Sequence, residues 1–227
     1  MKLSDRAILV FALVLVLSLG LFRLIREKSH VSEEIAFSDE FMHKLKTYVE
    51  SNGRDNEPYA WLTHRSSKMQ KILGAYGVYA SYRPPYSDFQ FQNYPVILNM
   101  LPELRKTLEN DVLSRGDLAH QYAVTLQETI LRYVGVLEDK ESELFKSIRN
   151  PVIWFREGIR IIVALPLSIL EWLGALSDKT VSALISSKAF RLITAFISLV
   201  GFVSAVMGIV LGWNQFQSML RGWLKVF

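Results

Sequence analysis

The sequence predicts an all-α integral membrane protein, in which two transmembrane helices anchor a helical-bundle middle domain and amphipathic helices rest on the membrane. Three observations lead to this fold class. Two apolar runs, Ala7–Phe22 and Leu192–Trp213, contain no charged residue. The chain between them has the periodicity of helices and no strand-length alternating run. The net charge of +4 comes from the apolar flanks, because residues 26–150 carry 16 Lys/Arg against 18 Asp/Glu.

These patterns divide the chain into five segments. They are an N-terminal anchor (1–25), an all-helical middle domain (26–150), amphipathic interfacial helices (151–190), a transmembrane helix (191–213) and an amphipathic tail (214–227).

The first apolar run, with Leu24 and Ile25 beyond Arg23, reaches roughly 19 residues, about the length that crosses a hydrocarbon core of ~30 Å. The alternative is a cleaved signal peptide, since Ser18-Leu19-Gly20 offers small residues near its end. The run is longer than an ordinary signal-peptide core and cations follow it closely, which favours an uncleaved anchor.

The second apolar run has 22 residues and carries its small residues on one helical stripe. Small side chains let helices approach closely in lipid, so we expect this seam to pack against the first anchor or a second copy. The protein would then be a homo-oligomer or a subunit of a membrane complex. The seam residues are Thr194, Ser198, Gly201, Ala205, Gly208 and Gly212.

The segment 152–176 is apolar but is interrupted by charges, among them Glu157, Arg160 and Glu171. On a helix these charges form one narrow stripe, which is typical of a helix lying in the head-group plane. The alternative is a re-entrant or third spanning segment. In that case Glu171 would be an intramembrane carboxylate and a functional candidate.

The middle domain begins with a helix that Ser38 is expected to cap, and Gly53 is expected to end that helix. Its longest helix is predicted over 117–148. Between helices lies a Tyr-rich loop, 77–95, which is either a packed lid or a partner-binding surface. The candidate binding residues of this loop are Tyr79, Tyr82, Tyr86, Phe89 and Phe91.

No residue pattern predicts catalysis. The chain has no cysteine, which excludes disulfides and thiolate sites, and its four histidines lie far apart without zinc-ligand spacing. No nucleotide, hydrolase or metalloprotease motif is present. We therefore predict no catalytic residue, cofactor or metal. A nucleic-acid partner is not expected either, because the cations flank apolar runs rather than forming a basic face.

The sequence thus predicts a non-enzymatic membrane protein that acts in assembly, scaffolding or signal relay through helix–helix contacts, with the lipid bilayer as a partner. The alternative is a membrane effector or channel-like protein in which 152–176 enters the bilayer. We expect a multi-pass protein of a bacterial cytoplasmic membrane. Six flanking cations on the middle-domain side against four on the other favour a cytoplasmic middle domain.

Overall fold

The chain is mostly helical, which confirms the predicted all-α character. A computed structural model describes residues 3–85, 88–109, 116–172, 174, 177–204 and 207. It divides into two compact units. Unit 1 comprises Met1–Lys28 and Leu144–Phe227, and unit 2 comprises Ser29–Glu143.

The described residues contain seven α-helices, a 3-10 turn at Gly74–Gly77 and two β-strands. The helices are α1 (Leu3–Glu50), α2 (Asn56–Leu73), α3 (Val96–Glu109), α4 (Gly116–Ile148), α5 (Pro151–Trp172), α6 (Asp178–Ser186) and α7 (Lys188–Ser204). The strands are β1 (Val78–Tyr82) and β2 (Phe91–Pro95).

Helix α1 is continuous over 48 residues, so the prediction that Ser38 begins a new helix is wrong. The Ser38 hydroxyl donates instead to the carbonyl oxygen of Glu34 at 2.8 Å, one turn earlier in the same helix. This bond satisfies the hydroxyl inside a helix, where it would otherwise favour a cap. The segment before it contains no Gly or Pro that would interrupt the helix.

The turn after α1 was predicted correctly at Gly53. The helix ends at Glu50, and Asn52 and Gly53 both adopt positive φ, at 51° and 74°. Such values are left-handed conformations that Gly and Asn tolerate best. Asp55 then caps α2, since its carboxylate accepts from the backbone N–H of Glu57 at 3.1 Å.

Unit 2 has one apolar core to which all four of its helices contribute. Side chains spaced three or four residues apart on each helix point into it, as helical periodicity requires. The largest fully buried members are Phe41, Leu45, Tyr48, Leu62, Met69, Leu73, Ile97, Met100, Leu101, Leu104, Leu126 and Ile130.

The segment predicted as a Tyr-rich loop is a β-hairpin, which corrects the expectation that the chain holds no strand. Strands β1 and β2 pair antiparallel, with Val78 opposite Pro95 and Tyr82 opposite Phe91. A single sequence does not reveal this pairing, because strand preference depends on cross-strand neighbours. Gln70 of α2 holds the chain where it enters β1 and where it leaves β2. Its Nε2 donates to the Gly77 carbonyl at 2.8 Å, and its Oε1 accepts from the Ile97 N–H at 3.0 Å.

Unit 1 contains the beginning of α1 and the helices that follow α4. Ser177 caps α6 by accepting from the N–H of Thr180. Among the described residues, no single helix has the length and apolar character to cross a bilayer. The consecutive helices α6 and α7, bent by 58°, reach that length and composition only as a pair.

Candidate functional site

A close helix contact in unit 1 joins α1 to α5 through two glycines. A Cβ atom placed on Gly20 would overlap the carbonyl oxygen of Trp154, and one placed on Gly158 would overlap that of Val16. Residue numbers fall along α1 as they rise along α5, so the two helices run antiparallel. Only glycine permits this backbone approach, which is the packing mode of helices that associate in lipid.

A buried carboxylate lies beside this contact. Glu157 is only 8% exposed, and its Oε2 lies 3.3 Å from Nη1 of Arg23 on α1. Two neighbours on α5 also approach it, Arg156 at 3.1 Å and Arg160 at 3.9 Å. A buried carboxylate is stable only when cations and hydrogen bonds compensate its desolvation. The cluster therefore couples α1 to α5 and gathers three guanidinium groups around one carboxylate.

Helix α7 packs against the same short stretch of α5, where its contact residue is Phe155. The rings of Phe155 and Phe202 lie 5.8 Å apart, and a Cβ on Gly201 would lie 3.3 Å from Cζ of Phe155. Since Phe155 stands near the start of α5, α6 and α7 together lead the chain from the end of α5 back to its beginning.

The described part of the small-residue seam lies on the inner side of α7. Thr194 and Ser198 are buried, and each hydroxyl donates to a carbonyl one turn earlier, of Phe190 and Thr194 respectively. Gly201 faces Phe155 of α5, within the same chain. The remaining seam positions Ala205, Gly208 and Gly212, and the predicted tail 214–227, lie outside the described residues.

The charged residues of the polar stripe predicted on 152–176 differ in how deeply they are buried. Glu157 at its start is buried against α1, and Arg160 is half-buried beside it. Glu171, the candidate intramembrane residue, is half-buried near the end of α5, next to the exposed Trp172. Part of this stripe thus points into unit 1.

In unit 2, three tyrosines form a cluster that joins the hairpin to α4. The rings of Tyr82 and Tyr94 lie 4.4 Å apart, and the hydroxyl of Tyr82 interacts with that of Tyr122 on α4. Burial raises the pKa of Tyr82, and burial together with the nearby Tyr122 and the Glu103 carboxylate raises the pKa of Tyr94 to about 12. Two of the predicted loop residues therefore have different roles from the rest: Tyr82 packs inward, and Tyr79 packs beside it with rings 6.1 Å apart.

The remaining described members of the predicted binding set face outward. Phe89 is 76% exposed and Phe91 is 47% exposed, while Tyr86 lies outside the described residues. Phe91 nevertheless contacts the tyrosine cluster, because its ring lies 5.9 Å from that of Tyr94.

An open groove of about 380 Å³ lies between α1 and α2 in unit 2. Its walls mix both charges, and the Lys68 ammonium sits 4.0 Å from the centroid of the Phe37 ring. The lining residues are His30, Glu33, Glu34, Phe37, Lys68, Lys71 and Ile72. Mixed charge along an open groove gives no single ligand chemistry.

Within the described part of the chain, no three His, Asp or Glu side chains converge in a way that could hold a metal ion. The chain matches no protein-family model, no curated protein sequence and no solved structure. Function must therefore be argued from the geometry of its own residues.

Sequence reasoning missed the Gly20–Gly158 contact and the ion pair between Arg23 and Glu157. The sequence does contain a pattern common to both contacts: each glycine lies within three residues of a charged residue at the edge of an apolar stretch. Residues more than 130 positions apart in sequence give no indication that they meet, so only the tertiary structure could identify the two contacts.

Proposed function

We propose that this protein is an integral membrane protein whose unit 1 is embedded in lipid and whose unit 2 is a helical domain outside it, acting in assembly, scaffolding or signal relay through helix contacts. The observation that carries the proposal is the inverted burial of unit 1. Many of its large apolar side chains face outward, while the Glu157 carboxylate, the Thr194 and Ser198 hydroxyls and the glycines of the α1–α5 contact face inward.

The long helices of unit 1, α1, α5 and α7, all carry exposed apolar side chains. Phe11 on α1 is 70% exposed, and Leu192 on α7 is 71% exposed. Leaving such a side chain in water instead of burying it costs ~1.5–3 kcal/mol, whereas lipid imposes no such cost. Other exposed members are Val14, Leu15, Phe22, Leu165, Ile169, Phe196, Leu199 and Val200.

The inward face has the composition expected of helix packing in lipid. Gly20 and Gly158 allow backbone contact, and Thr194 and Ser198 direct their hydroxyls to their own helix. Glu157 pairs with arginines rather than facing the apolar exterior. Small residues and compensated polar groups at helix interfaces are typical of membrane bundles.

Matched helix lengths support insertion of α5 beside α1. The uncharged run Ala7–Phe22 extends about 24 Å along α1, and the stretch from Glu157 to Glu171, in which Arg160 belongs to the Glu157 cluster, extends about 21 Å along α5. Both are shorter than a hydrocarbon core of ~30 Å, and a bilayer accommodates this by local thinning and by snorkelling of flanking cations. We therefore favour three traversals: α1, α5 and the bent pair α6–α7, whose second helix contains the described part of the second apolar run.

The role in relay or assembly is supported by the continuity of α1. The same unbroken helix contributes Val16 and Leu24 to unit 1 and Phe41 and Leu45 to the core of unit 2. A change in the packing of one unit can thus act on the other through a single helix. The exposed Phe89 and Phe91 of the hairpin offer unit 2 an apolar contact for a partner protein.

Membrane insertion is tested with single-cysteine variants of the full-length protein, which has no native thiol. Spin labels at Phe196→Cys and Ser198→Cys sit on opposite sides of α7. In vesicles, the label at 196 should be accessible to oxygen dissolved in lipid, and the label at 198 should be protected from it. Equal access of a water-soluble nickel reagent to both labels, or release of the protein by carbonate, contradicts the proposal.

The number of traversals is tested by thiol labelling from one side of sealed vesicles. Ser177→Cys lies in the exposed turn between α5 and α6, and Ser142→Cys lies on an exposed face of α4. If α5 crosses the bilayer, an impermeant maleimide should label these two positions from opposite sides. Labelling from the same side indicates that residues 151–190 lie in the head-group plane, and that two segments span.

A further inference from the structure

The arginine cluster around Glu157 carries more positive charge than its own carboxylate compensates. Arg23, Arg156 and Arg160 all lie within 4 Å of this one group. Three guanidiniums and one carboxylate leave a surplus of two positive charges. Near a low-dielectric boundary, where solvent screens this repulsion less than in bulk water, a further anion would relieve it.

The geometry leaves room for such an anion on the arginine side. The Glu157 side chain is 11% exposed, whereas the side chains of Arg23, Arg156 and Arg160 are 36%, 57% and 32% exposed. The carboxylate is thus buried in the helix contact, whereas the three arginine side chains remain accessible to a ligand. A guanidinium donates two parallel hydrogen bonds to phosphate oxygens, so phosphate is its matching ligand.

The surroundings of the cluster favour a phosphate that carries acyl chains. Exposed apolar side chains flank it on both helices, Phe22 and Ile25 on α1 and Val152 and Ile162 on α5. A free phosphate gains nothing from these groups, whereas a lipid places its glycerol and chains against them. The cluster also stands where the uncharged run of α1 ends, which is the depth of head groups if α1 spans.

From these observations we propose that Arg23, Arg156 and Arg160 form a binding site for the phosphate of an anionic phospholipid. The site rests on the proposed membrane insertion of unit 1. Anionic lipid would then bind α1 and α5 at once and stabilise their antiparallel contact. Because ~1 kcal/mol is gained per cation near an anionic surface, each guanidinium should contribute about fivefold in affinity.

The test uses the full-length protein in detergent, with dioleoyl phosphatidylglycerol and dioleoyl phosphatidylcholine as probes. Native mass spectrometry should show preferential retention of phosphatidylglycerol. Arg156→Gln should reduce that preference about fivefold, and Arg156→Gln with Arg160→Gln should reduce it about 25-fold. The matched control Arg132→Gln, which removes an exposed arginine of unit 2, should leave it unchanged.

A further variant and a competing ligand distinguish a lipid site from a purely structural cluster and from a site for free phosphate. Glu157→Gln removes the compensating charge, so it should maintain or strengthen retention of phosphatidylglycerol even if the helix pair is less stable. Loss of retention in Glu157→Gln together with the arginine variants indicates a merely structural cluster and overturns the proposal. Displacement of the lipid by inorganic phosphate at equal concentration overturns the assignment to a lipid.

Failure of this site is distinguishable from failure of membrane insertion. If carbonate leaves the protein in vesicles but both lipids are retained equally, only the head-group site is wrong. If carbonate extracts the protein, the membrane proposal itself is wrong.

Discussion

Gly20 of α1 and Gly158 of α5 face each other so closely that a Cβ on Gly20 would lie 2.8 Å from the amide nitrogen of Gly158. The two residues are separated by the whole of unit 2 in sequence. Their contact brings the first and fifth helices together and places Arg23 beside Glu157. The organisation of unit 1 therefore depends on the absence of two side chains as much as on the ion pair next to them.

We predict that Gly158→Ala destabilises unit 1 by about 1–3 kcal/mol or more, because its Cβ overlaps a backbone oxygen that no rotamer change can move. The measurement is thermal unfolding of the full-length protein in detergent. Gly135→Ala on α4 is the matched control. Nothing lies within 4 Å of its Cβ, so alanine should stabilise that helix by about 0.5–1 kcal/mol. Equal behaviour of the two variants contradicts the close helix contact.

The Arg23–Glu157 pair should show a coupling free energy of about 1–2 kcal/mol in a double-mutant cycle with Arg23→Gln and Glu157→Gln. The carboxylate is buried, but Arg23 is partly exposed, which limits the value. The exposed pair Arg132–Glu128, at 2.8 Å on one helix, is the control and should give only about 0.3–0.5 kcal/mol. A coupling no larger than this control shows that the pair does not join the helices.

Gly201→Ile should lower the melting temperature of the monomer, since the branched side chain displaces Phe155 and separates α7 from α5. Val203→Ile, on the exposed side of the same helix, is the control and should have little effect. Melting and crosslinking are measured on the same samples. Unchanged melting with weakened self-association would show that the seam packs against a second copy instead.

Alkaline pH should destabilise unit 2 through its tyrosine cluster. Burial raises the pKa values of Tyr82, Tyr94 and Tyr122 in the folded state. The unfolded chain titrates near the ordinary value of about 10 and so binds fewer protons above it. The free energy of unfolding should be independent of this cluster below pH ~10 and fall as pH rises towards about 12, the pKa of Tyr94.

Urea unfolding at stepped pH, with absorbance of tyrosinate as a second signal, measures this dependence. Tyr82→Phe removes one ionising group and should reduce the slope above pH ~10. Tyr76→Phe is the control, since Tyr76 is exposed and lies outside the cluster. A slope that is the same in both variants and the wild type contradicts the burial of the cluster.

Gln70→Ala should loosen the hairpin, because it leaves the Ile97 N–H and the Gly77 carbonyl without their side-chain partner. The expected loss is about 1–3 kcal/mol. Hydrogen exchange of the Ile97 amide should become faster before global unfolding does. The exposed Gln121→Ala on α4 should leave exchange at Ile97 unchanged.

The sequence alone determined the helices of this protein and where most of them end. Asn150-Pro151 separates α4 from α5, and the turn at Gly53 follows α1, because these residues act through local backbone geometry. The same local reasoning placed Ser38 at a cap, and it was wrong because a hydroxyl can also bond one turn back inside a helix.

Only the tertiary structure decided which residues meet. The hairpin forms because β1 and β2 supply each other's hydrogen bonds, and Gln70 closes it from a different helix. Glu157 becomes a buried carboxylate because Arg23 arrives from a distant part of the chain. Local propensity acts over one or two turns, whereas burial and charge compensation are properties of packed partners, so neither could be derived from spacing alone.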